Sequence, residues 1–491
     1  MAAEQGTDSD RILWYFNQIA PNWDRWRKKN EYYHAHLRRL IVGMVSPHAR
    51  VLDYGAGDGD LLEILRPESG VGINFVSALT NAAARRNPNM RFHTAPLDQM
   101  PVAADCAPDY LVMRNMLDYV YDLSDVLERA HKLAPPGMLL VITTSNPLWA
   151  GILKWARRFG LRFPESPRNY ITNRDIRNLL EISGFSLVEE GMALPMPVGI
   201  PAVSTFLNLI IPEIPVLRLC SSVQYLCARV TKERPPLSCS VVIPCHNEED
   251  NIERTVRRVP NIGTRTEIII VDDGSTDATR ERAVALVATD PRVRCLAFDK
   301  NRGKAEAVYA AFEAATGDVV MILDADATVE PEILSKFFAP IQSGQADFVN
   351  GTRLIYPMQR DAMRFANFIG NKLFCFLASF VLRQRVSDTL CGTKAMLRAD
   401  FLRMPRGGID RWGDFDQLFG AARLKLRIRE MPIHYQDRIA GKSKMKSFVE
   451  VWRFLGACLQ GWKLLRLPKL HEPRSVDPGS RFTDQRRVII R

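Results

Sequence analysis

The sequence has no paired-cysteine spacing. Its nine cysteines are scattered, odd in number and nowhere arranged as C-x-x-C. That argues against a disulfide framework or a cysteine-based zinc site and for free thiols in a reducing compartment. The opening stretch, "MAAEQGTDSDRILWYF", places acids where a secretion signal would place basic residues and an apolar core. The protein is therefore expected to stay in the cytosol. No internal repeat is visible, and no apolar run is clean enough to read as a membrane span. No base-reading motif accompanies the net charge of +11, so nucleic acid is not an expected partner.

What is present is an ordinary globular composition, 46% hydrophobic and 25% charged. The positive charge points to an anionic partner, such as an acidic membrane face or a phosphorylated substrate. The 491 residues are too many for one core, so two or more domains are expected. Two strand-and-helix alternations are visible, one from "ARVLDYGAGDGDLLEIL" and one from "LSCSVVIPCHNEEDNI". Alternation of this kind implies mostly parallel sheets covered by helices, hence an α/β fold with two doubly wound domains. Between them lies the polar, two-proline stretch "TKERPPLS". The expected division is residues 1–230, a linker at 231–238, residues 239–470, and a tail at 471–491. From Pro473 that tail holds five arginines against two acids and is expected to be loose.

In the first domain, "VLDYGAGDGDLL" is a short apolar strand, then Gly55, Gly57 and Gly59, then a helical pattern. Glycines there allow a tight turn and the approach of a ligand to backbone N–H groups. With "YFNQIAPNWDRW" upstream and "DYLVMRNMLDYV" and "LAPPGMLLVITT" downstream, the segment from Asp10 to Val230 resembles class I S-adenosylmethionine-dependent methyltransferases. The resemblance implies a Rossmann-like fold and an S-adenosylmethionine site at Asp53, Gly55, Gly57, Gly59 and Asn74. Asn74 stands where the family carries the acid that holds the ribose hydroxyls, and an amide offers a hydrogen bond without charge assistance. Pro96 stands where relatives often have an acid near the adenine, with Asp98 two residues on. A degenerate domain kept as a scaffold is the alternative. From Ala193 to Ala228 there are only two charges, Glu213 and Arg218, and five prolines. The prolines rule out one long helix. This stretch reads either as an apolar insertion packed on the domain or as a lid that touches a membrane.

The second domain carries three strand-like runs that end in polar groups. "SVVIPCHNEEDNI" passes through Pro244 to Asn247 and Glu248; "EIIIVDDGSTDAT" ends in Asp272 and Asp273; "VVMILDADATVEP" ends in Asp324 and Asp326. Ligands bind outside the carboxyl ends of parallel strands. At strand period two, Asp324 and Asp326 would point to one side and repel. A hard divalent cation, Mg²⁺ or Mn²⁺, relieves that repulsion, and a substrate diphosphate can complete its oxygen shell.

Together with "KNRGKAEAV", "VSDTLCGTKAMLR", "RWGDFDQLF" and "RIAGKSKMK", these runs resemble family 2 glycosyltransferases of the GT-A fold, from Ser238 to Lys446. The pattern of the last motif points toward the polyprenyl-phosphate sugar transferases. The resemblance implies an inverting sugar transfer from a nucleotide-diphosphate sugar to a membrane-associated acceptor, polyprenyl phosphate, with a glycan or other hydroxyl as the alternative. It implies that Pro244, Asn247, Glu248, Asp272 and Asp273 lie about the nucleoside. Lys304 would face the phosphates, and Asp324 and Asp326 would carry the metal. Asp388, Asp414 and Asp416 would lie near the sugar or the attacking oxygen, and Arg438, Ser443 and Lys444 would bind phosphate. Leu418 stands where relatives usually place an acid, which leaves the assignment around Asp416 open; a hydroxyl acceptor would need a base, Asp388 or Asp416, whereas a lipid phosphate would need none.

Two further segments bear on membranes. "FANFIGNKLFCFLASFVL", Phe365 to Leu382, approaches a span in length but separates motifs that must meet one substrate. A half-buried helix at the bilayer surface, or a core helix, is expected. "FVEVWRFLGACLQGWKLLRL" gathers Glu450, Arg453, Gln460, Lys463 and Arg466 on one side at helical spacing, with Trp452 and Trp462. A basic amphipathic helix of that kind suits peripheral contact with an anionic membrane.

Overall fold

The structure, a computed structural model, describes residues 8–96, 107–152, 159, 169–326, 328–353, 365–404, 413–434, 447–466 and 488–490. The chain divides into two compact units, Met1–Lys232 and Glu233–Arg491.

The first unit is built on strands β1 (Arg50–Tyr54), β2 (Ser69–Asn74), β3 (Arg91–Thr94), β4 (Tyr110–Arg114), β5 (Leu139–Ser145), β6 (Phe185–Ala193) and β7 (Val223–Val230). They form one sheet in the order β3-β2-β1-β4-β5-β7-β6. The first five strands run parallel, and β7 runs antiparallel to both β5 and β6. Successive residues alternate between two cores. Leu52, Leu111 and Leu140 pack on one face, and Val51, Val112 and Val141 on the other. Burial on both faces is what a near-continuous apolar strand requires. The strand order reverses between β1 and β4, which opens a crevice at their carboxyl ends.

The second unit is built on β8 (Cys239–Cys245), β9 (Thr266–Asp272), β10 (Val293–Ala297), β11 (Val319–Ile322), β12 (Phe348–Thr352), β13 (Lys394–Leu397), β14 (Ile428–Pro432) and β15 (Val488–Ile490). Their order is β14-β12-β13-β11-β8-β9-β10-β15. β11, β8, β9 and β10 are parallel, and β13 enters antiparallel between β11 and β12. Val242, Ile269 and Val320 face one core, while Val241, Ile268 and Val319 face the other. β15 lies in the segment expected as a loose tail. It pairs antiparallel with β10, whose outer edge is otherwise open to any added strand.

Two expectations from the sequence take definite form here. Part of the expected linker is seated in the second unit. Arg234 is buried and donates to Asp347, whose carboxylate also receives the Nε and Nη2 of the buried Arg427. The helix Phe365–Leu382 is a core helix in its latter half. Phe374, Ala378 and Val381 are buried, and Phe374 meets Phe454 of the helix Ser447–Arg466 edge to face at 5.4 Å. Gln460 and Lys463 of the expected polar side are exposed, and the apolar Phe376, Phe380, Leu455 and Leu459 are exposed as well. Among the described residues, no helix is long and apolar enough to cross a membrane.

Candidate active site

In the second unit the carboxyl ends of β8, β9 and β11 are tied together by their own polar groups. The Asp273 N–H donates to Cys245 O at 2.9 Å, which fixes β9 against β8. The Asp273 carboxylate accepts from the N–H groups of Arg302 at 2.7 Å and Gly303 at 2.9 Å. Gly274 follows with φ of +65°, and a Cβ there would lie 2.5 Å from the Lys300 carbonyl carbon. Only glycine lets the two loops approach so closely. Asn247, also at positive φ, accepts from Thr276 N at 2.9 Å, and its own N–H reaches Ser275 Oγ at 3.0 Å. Asp272 is fully buried and accepts from Ser275 N and from Arg280 Nε at 2.7 Å. Glu248 accepts from Asn251, and the half-buried Pro244 sits in β8 opposite Val271. Asp272 and Asp273 thus act first as braces for the loops at the ends of β8 and β9.

The metal-motif aspartates do not sit on the strand. β11 ends at Ile322, so Asp324 and Asp326 lie in the turn beyond it and are not held to one face by strand period. Asp326 is buried and accepts from Thr328 N and Oγ1. Asp324 accepts from Lys304 Nζ at 2.5 Å. Lys304 is the first residue of the helix Lys304–Ala314. Burial disfavours its charge, but Asp324 and Asp414 outweigh that and hold the ammonium above its usual range. The Lys304 ammonium occupies one oxygen of Asp324 as a cation would. Among the described residues no cluster of three or more acidic, histidine or cysteine side chains is placed for a metal. A single half-exposed carboxylate with hard oxygen donors fits Mg²⁺ or Mn²⁺ when a diphosphate fills the rest of the shell.

Asp414 and Asp416 open the helix Asp414–Arg423, whose start lies against Lys304–Ala314 through Gly413. Lys394, fully buried in β13, donates to Asp414, and Tyr309 Oη reaches Asp416 at 3.4 Å. Asp388 is fully buried. It accepts from the N–H, Nε and Nη2 of Arg353, at 3.1, 2.7 and 2.8 Å, and from Leu390 N. Although burial raises a carboxyl's pKa, Arg353 wins, and the Asp388 group is held below the usual range. Such a group is a poor proton acceptor, and its geometry is that of a brace for Arg353. Arg353 and Lys394 were not singled out in the sequence. A lysine inside the strand "TKAML" was the available signal for the second, because a buried ammonium requires a carboxylate partner. Arg438, Ser443 and Lys444 lie outside the described residues.

In the first unit the turn after β1 holds Gly55, Gly57 and Gly59, all at positive φ. Asn74 is buried and grips this turn: it accepts from Gly57 N at 2.8 Å and donates to Gly57 O at 2.9 Å. Asn74 thus braces the turn, with one lone pair and one N–H of its amide left over. Asp53 is wholly buried, and neither of its oxygens has a hydrogen-bond partner among the described residues. Burial pushes its carboxyl up to about 7, against the pull of Arg114. Arg114 instead donates to Asp60 at 2.8 Å, and Asp60 also accepts from Arg38. His34, beside this cluster, is pushed down to about 4 by burial and by Arg114. An unpartnered buried carboxylate beside a glycine turn fits a ligand that brings an ammonium, as S-adenosylmethionine does. Asp98 lies outside the described residues.

Comparison with known proteins agrees with both folds. Residues 240–403 match the model for glycosyl transferase family 2, and residues 25–190 match that for a methyltransferase domain. The chain is 28% identical over 248 residues to glycosyltransferase AglD of Haloferax volcanii, covering 48% of this chain and 39% of that protein. It is 36% identical over 121 residues to the dolichol-phosphate mannosyltransferase of Pyrococcus furiosus, covering 24% of this chain and 34% of that one. It is 29% identical over 218 residues to the undecaprenyl-phosphate mannosyltransferase of Micrococcus luteus, covering 42% of this chain and 86% of that one. The chain therefore spans less than two fifths of the length of the first two of these relatives. With each unit carrying the sheet its family model implies, the chain joins a methyltransferase domain at its N-terminal side to a family 2 glycosyl transferase domain of the GT-A fold.

Proposed function

We propose that the second unit transfers a sugar from a nucleotide-diphosphate sugar to the phosphate of a polyprenyl lipid, with inversion at the anomeric carbon. The observation that carries this reading is the Lys304–Asp324 pair at the joined ends of β8, β9 and β11. It sets a cation and an acid where the diphosphate of a donor would lie. Two relatives, a dolichol-phosphate and an undecaprenyl-phosphate mannosyltransferase, favour a lipid phosphate over a glycan hydroxyl. A divalent cation, Mg²⁺ or Mn²⁺, held at Asp324 with Asp326 beside it, would neutralise the departing diphosphate.

The residues of the chain do the rest. Asp273 holds the 302–303 backbone, and so sets the position of Lys304 at the helix start. Lys304 lies ready to take the negative charge that builds on the leaving group. An acceptor phosphate is already ionised at neutral pH, so its oxygen can attack without a base. Arg353, braced by Asp388, is assigned to the acceptor phosphate, and Arg438, Ser443 and Lys444 to the phosphates of the nucleotide sugar. Exposed Phe376, Phe380, Leu455 and Leu459 support peripheral contact with the cytoplasmic face of a membrane. The first unit is assigned S-adenosylmethionine binding at Asp53 and the Gly55–Gly59 turn. The cofactor, when bound, supplies an electrophilic methyl group.

The test is incubation of the full chain with radiolabelled nucleotide sugars and Mn²⁺, with and without polyprenyl phosphate. Label should pass to the lipid phase only when the polyprenyl phosphate is present. Label that enters glycan and never the lipid would replace this reading with the hydroxyl-acceptor one.

A further inference from the structure

Between β6 and β7 the first unit carries an insertion turned inside out. Its helix Val203–Ile210 turns Ser204 and Asn208 inward and leaves Thr205 as the one exposed polar side chain among its apolar residues. Ser204 is fully buried, donates to Val198 O at 2.6 Å and accepts from Ile200 N at 2.8 Å. Asn208 accepts from Met196 N and donates to Met196 O and Tyr32 Oη. The outer face is apolar: Val203, Phe206 and Ile210 recur at helical spacing and are all exposed, Phe206 by 61%. After the helix, Ile214, Val216, Leu217 and Leu219 are exposed as well, Val216 by 74%. A surface helix of a soluble domain shows the opposite arrangement. The insertion is hydrogen-bonded in place, so its exposed apolar face is a fixed surface.

The position and the surroundings say what covers it. Asn146, directly after β5, donates to Leu219 O and Ser221 O, and Trp149 Nε1 donates to Cys220 O. The apolar surface therefore adjoins the carboxyl end of β5, with exposed Leu148 and Ile152 beside it. Tyr32, which Asn208 holds, begins a helix whose same face carries His36 and exposed Arg39. Just before it, Arg25, Lys28 and Lys29 are exposed. Of the six arginines and lysines over Trp23–Arg39, Arg25, Lys28, Lys29 and Arg39 are exposed, whereas Arg38 is buried against Asp60 and Arg27 lies half-buried beside Asp58. An apolar face bordered by fixed cations matches an anionic lipid leaflet, with hydrocarbon below and phosphates at the rim.

We infer that the 194–222 insertion seats the methyltransferase unit on an anionic bilayer and brings the carboxyl ends of β4 and β5 to headgroup depth. The acceptor of this unit then belongs to the class carried by membrane lipids. The inference does not depend on sugar transfer by the second unit. It can fail while that reading stands, and the reverse.

Cys220 offers a probe within the surface, since it is the exposed one among the eight described cysteines. The full chain, with Cys106→Ser, is labelled there with an environment-sensitive fluorophore and mixed with phosphatidylcholine vesicles with or without phosphatidylglycerol. Emission should shift to the blue on anionic vesicles, and added vesicles should slow alkylation of the unlabelled thiol. Lys28→Gln with Lys29→Gln should weaken the fluorescence-detected binding by about fivefold per charge, with unchanged far-ultraviolet circular dichroism. Vesicle-bound protein whose Cys220 probe stays in water overturns the inference, and so does a chain that does not bind vesicles. A blue-shifted probe without vesicles, at the mass of a dimer, would assign the surface to a second copy and overturn it equally.

Discussion

Lys304 and Asp324 meet across a residue that has no side chain. The ammonium donates to Asp324 Oδ1 at 2.5 Å, and a Cβ on Gly392 would lie 2.2 Å from Asp324 Oδ2 and 2.6 Å from the ammonium. Gly392 does not sit at a positive φ, so alanine fits its backbone and only the ion pair stands in the way. Gly392→Ala should therefore fold at nearly the wild-type temperature and yet lose sugar transfer. Lys304→Met should lower kcat by about 10²- to 10³-fold, the effect of removing one electrostatic contact to a transition state. Steady-state rates of both variants, beside their melting curves, check this. A Gly392→Ala enzyme of full activity would show that the pair is not part of the reaction.

Asp324 and Asp326 differ in surroundings, and so should their variants. Asp324 is the more open and accepts from Lys304, whereas Asp326 is buried and accepts from Thr328. Chelation of divalent cations should abolish transfer, and Mn²⁺ should restore it. Asp324→Asn should raise the Mn²⁺ concentration needed for half-maximal rate by at least about tenfold, since one charged ligand is lost. Asp326→Ala should lower the rate and also free Thr328, whose N–H and hydroxyl donate to it. Unaltered transfer by Asp326→Ala would remove it from the metal site.

The two sheets were legible because their strands are apolar on both faces, as "VLDY" and "EIIIVD" are, and only buried parallel strands read that way. The polar ends of β8 and β9 were legible too, since Asn247 and Glu248 follow the first run and Asp272, Asp273 and Gly274 close the second. The partners were not. Asp388 finds Arg353 at a separation of 35 residues, and Lys304 finds Asp324 at 20, distances at which sequence pattern carries no contact information. Strand period misplaced Asp324 and Asp326 because β11 stops at Ile322, two residues early. Nor was the second task of Asn74 legible, which is to brace the turn through one bond from each end of its amide to Gly57. The 194–222 stretch was visibly apolar and rich in proline. Which side faced outward depended on Ser204 and Asn208 binding local backbone, a choice that composition does not encode.

Asp388 braces Arg353 and should not act as a base. Asp388→Ala leaves Arg353 charged and half-buried without its partner, at a cost of about 3–5 kcal/mol. Asp388→Asn keeps the shape but weakens the pair. It should raise KM for the acceptor while the pH profile of kcat keeps its shape. The acid-side loss of stability follows from the lowered pKa of Asp388. Its contribution is full above the unfolded-state pKa of about 4 and disappears as pH falls through the lower folded value, so wild type should lose more stability than Asp388→Asn below that point. An acidic limb of kcat that vanishes in Asp388→Asn would reinstate it as the base.

Asp53 presents the opposite sign. Its carboxyl titrates near 7 in the folded unit and near 4 in the unfolded chain. Below about pH 4 both states are protonated and burial costs nothing. Between 4 and 7 the folded state holds a proton that the unfolded state has released, so stability falls as pH rises, by up to about 4 kcal/mol in all. Asp53→Asn removes the ionisation. The melting transition of the methyltransferase unit should be higher in the variant at pH 8, with the gain shrinking to nothing by pH 4. S-adenosylmethionine should reverse the order at pH 8, because its ammonium would meet an ionised Asp53 and only an amide in the variant. A thermal-shift titration with the cofactor at pH 6 and pH 8 reads both effects without any methyl acceptor. Equal cofactor-induced shifts in wild type and Asp53→Asn at pH 8 would mean that the buried carboxylate does not face the ligand.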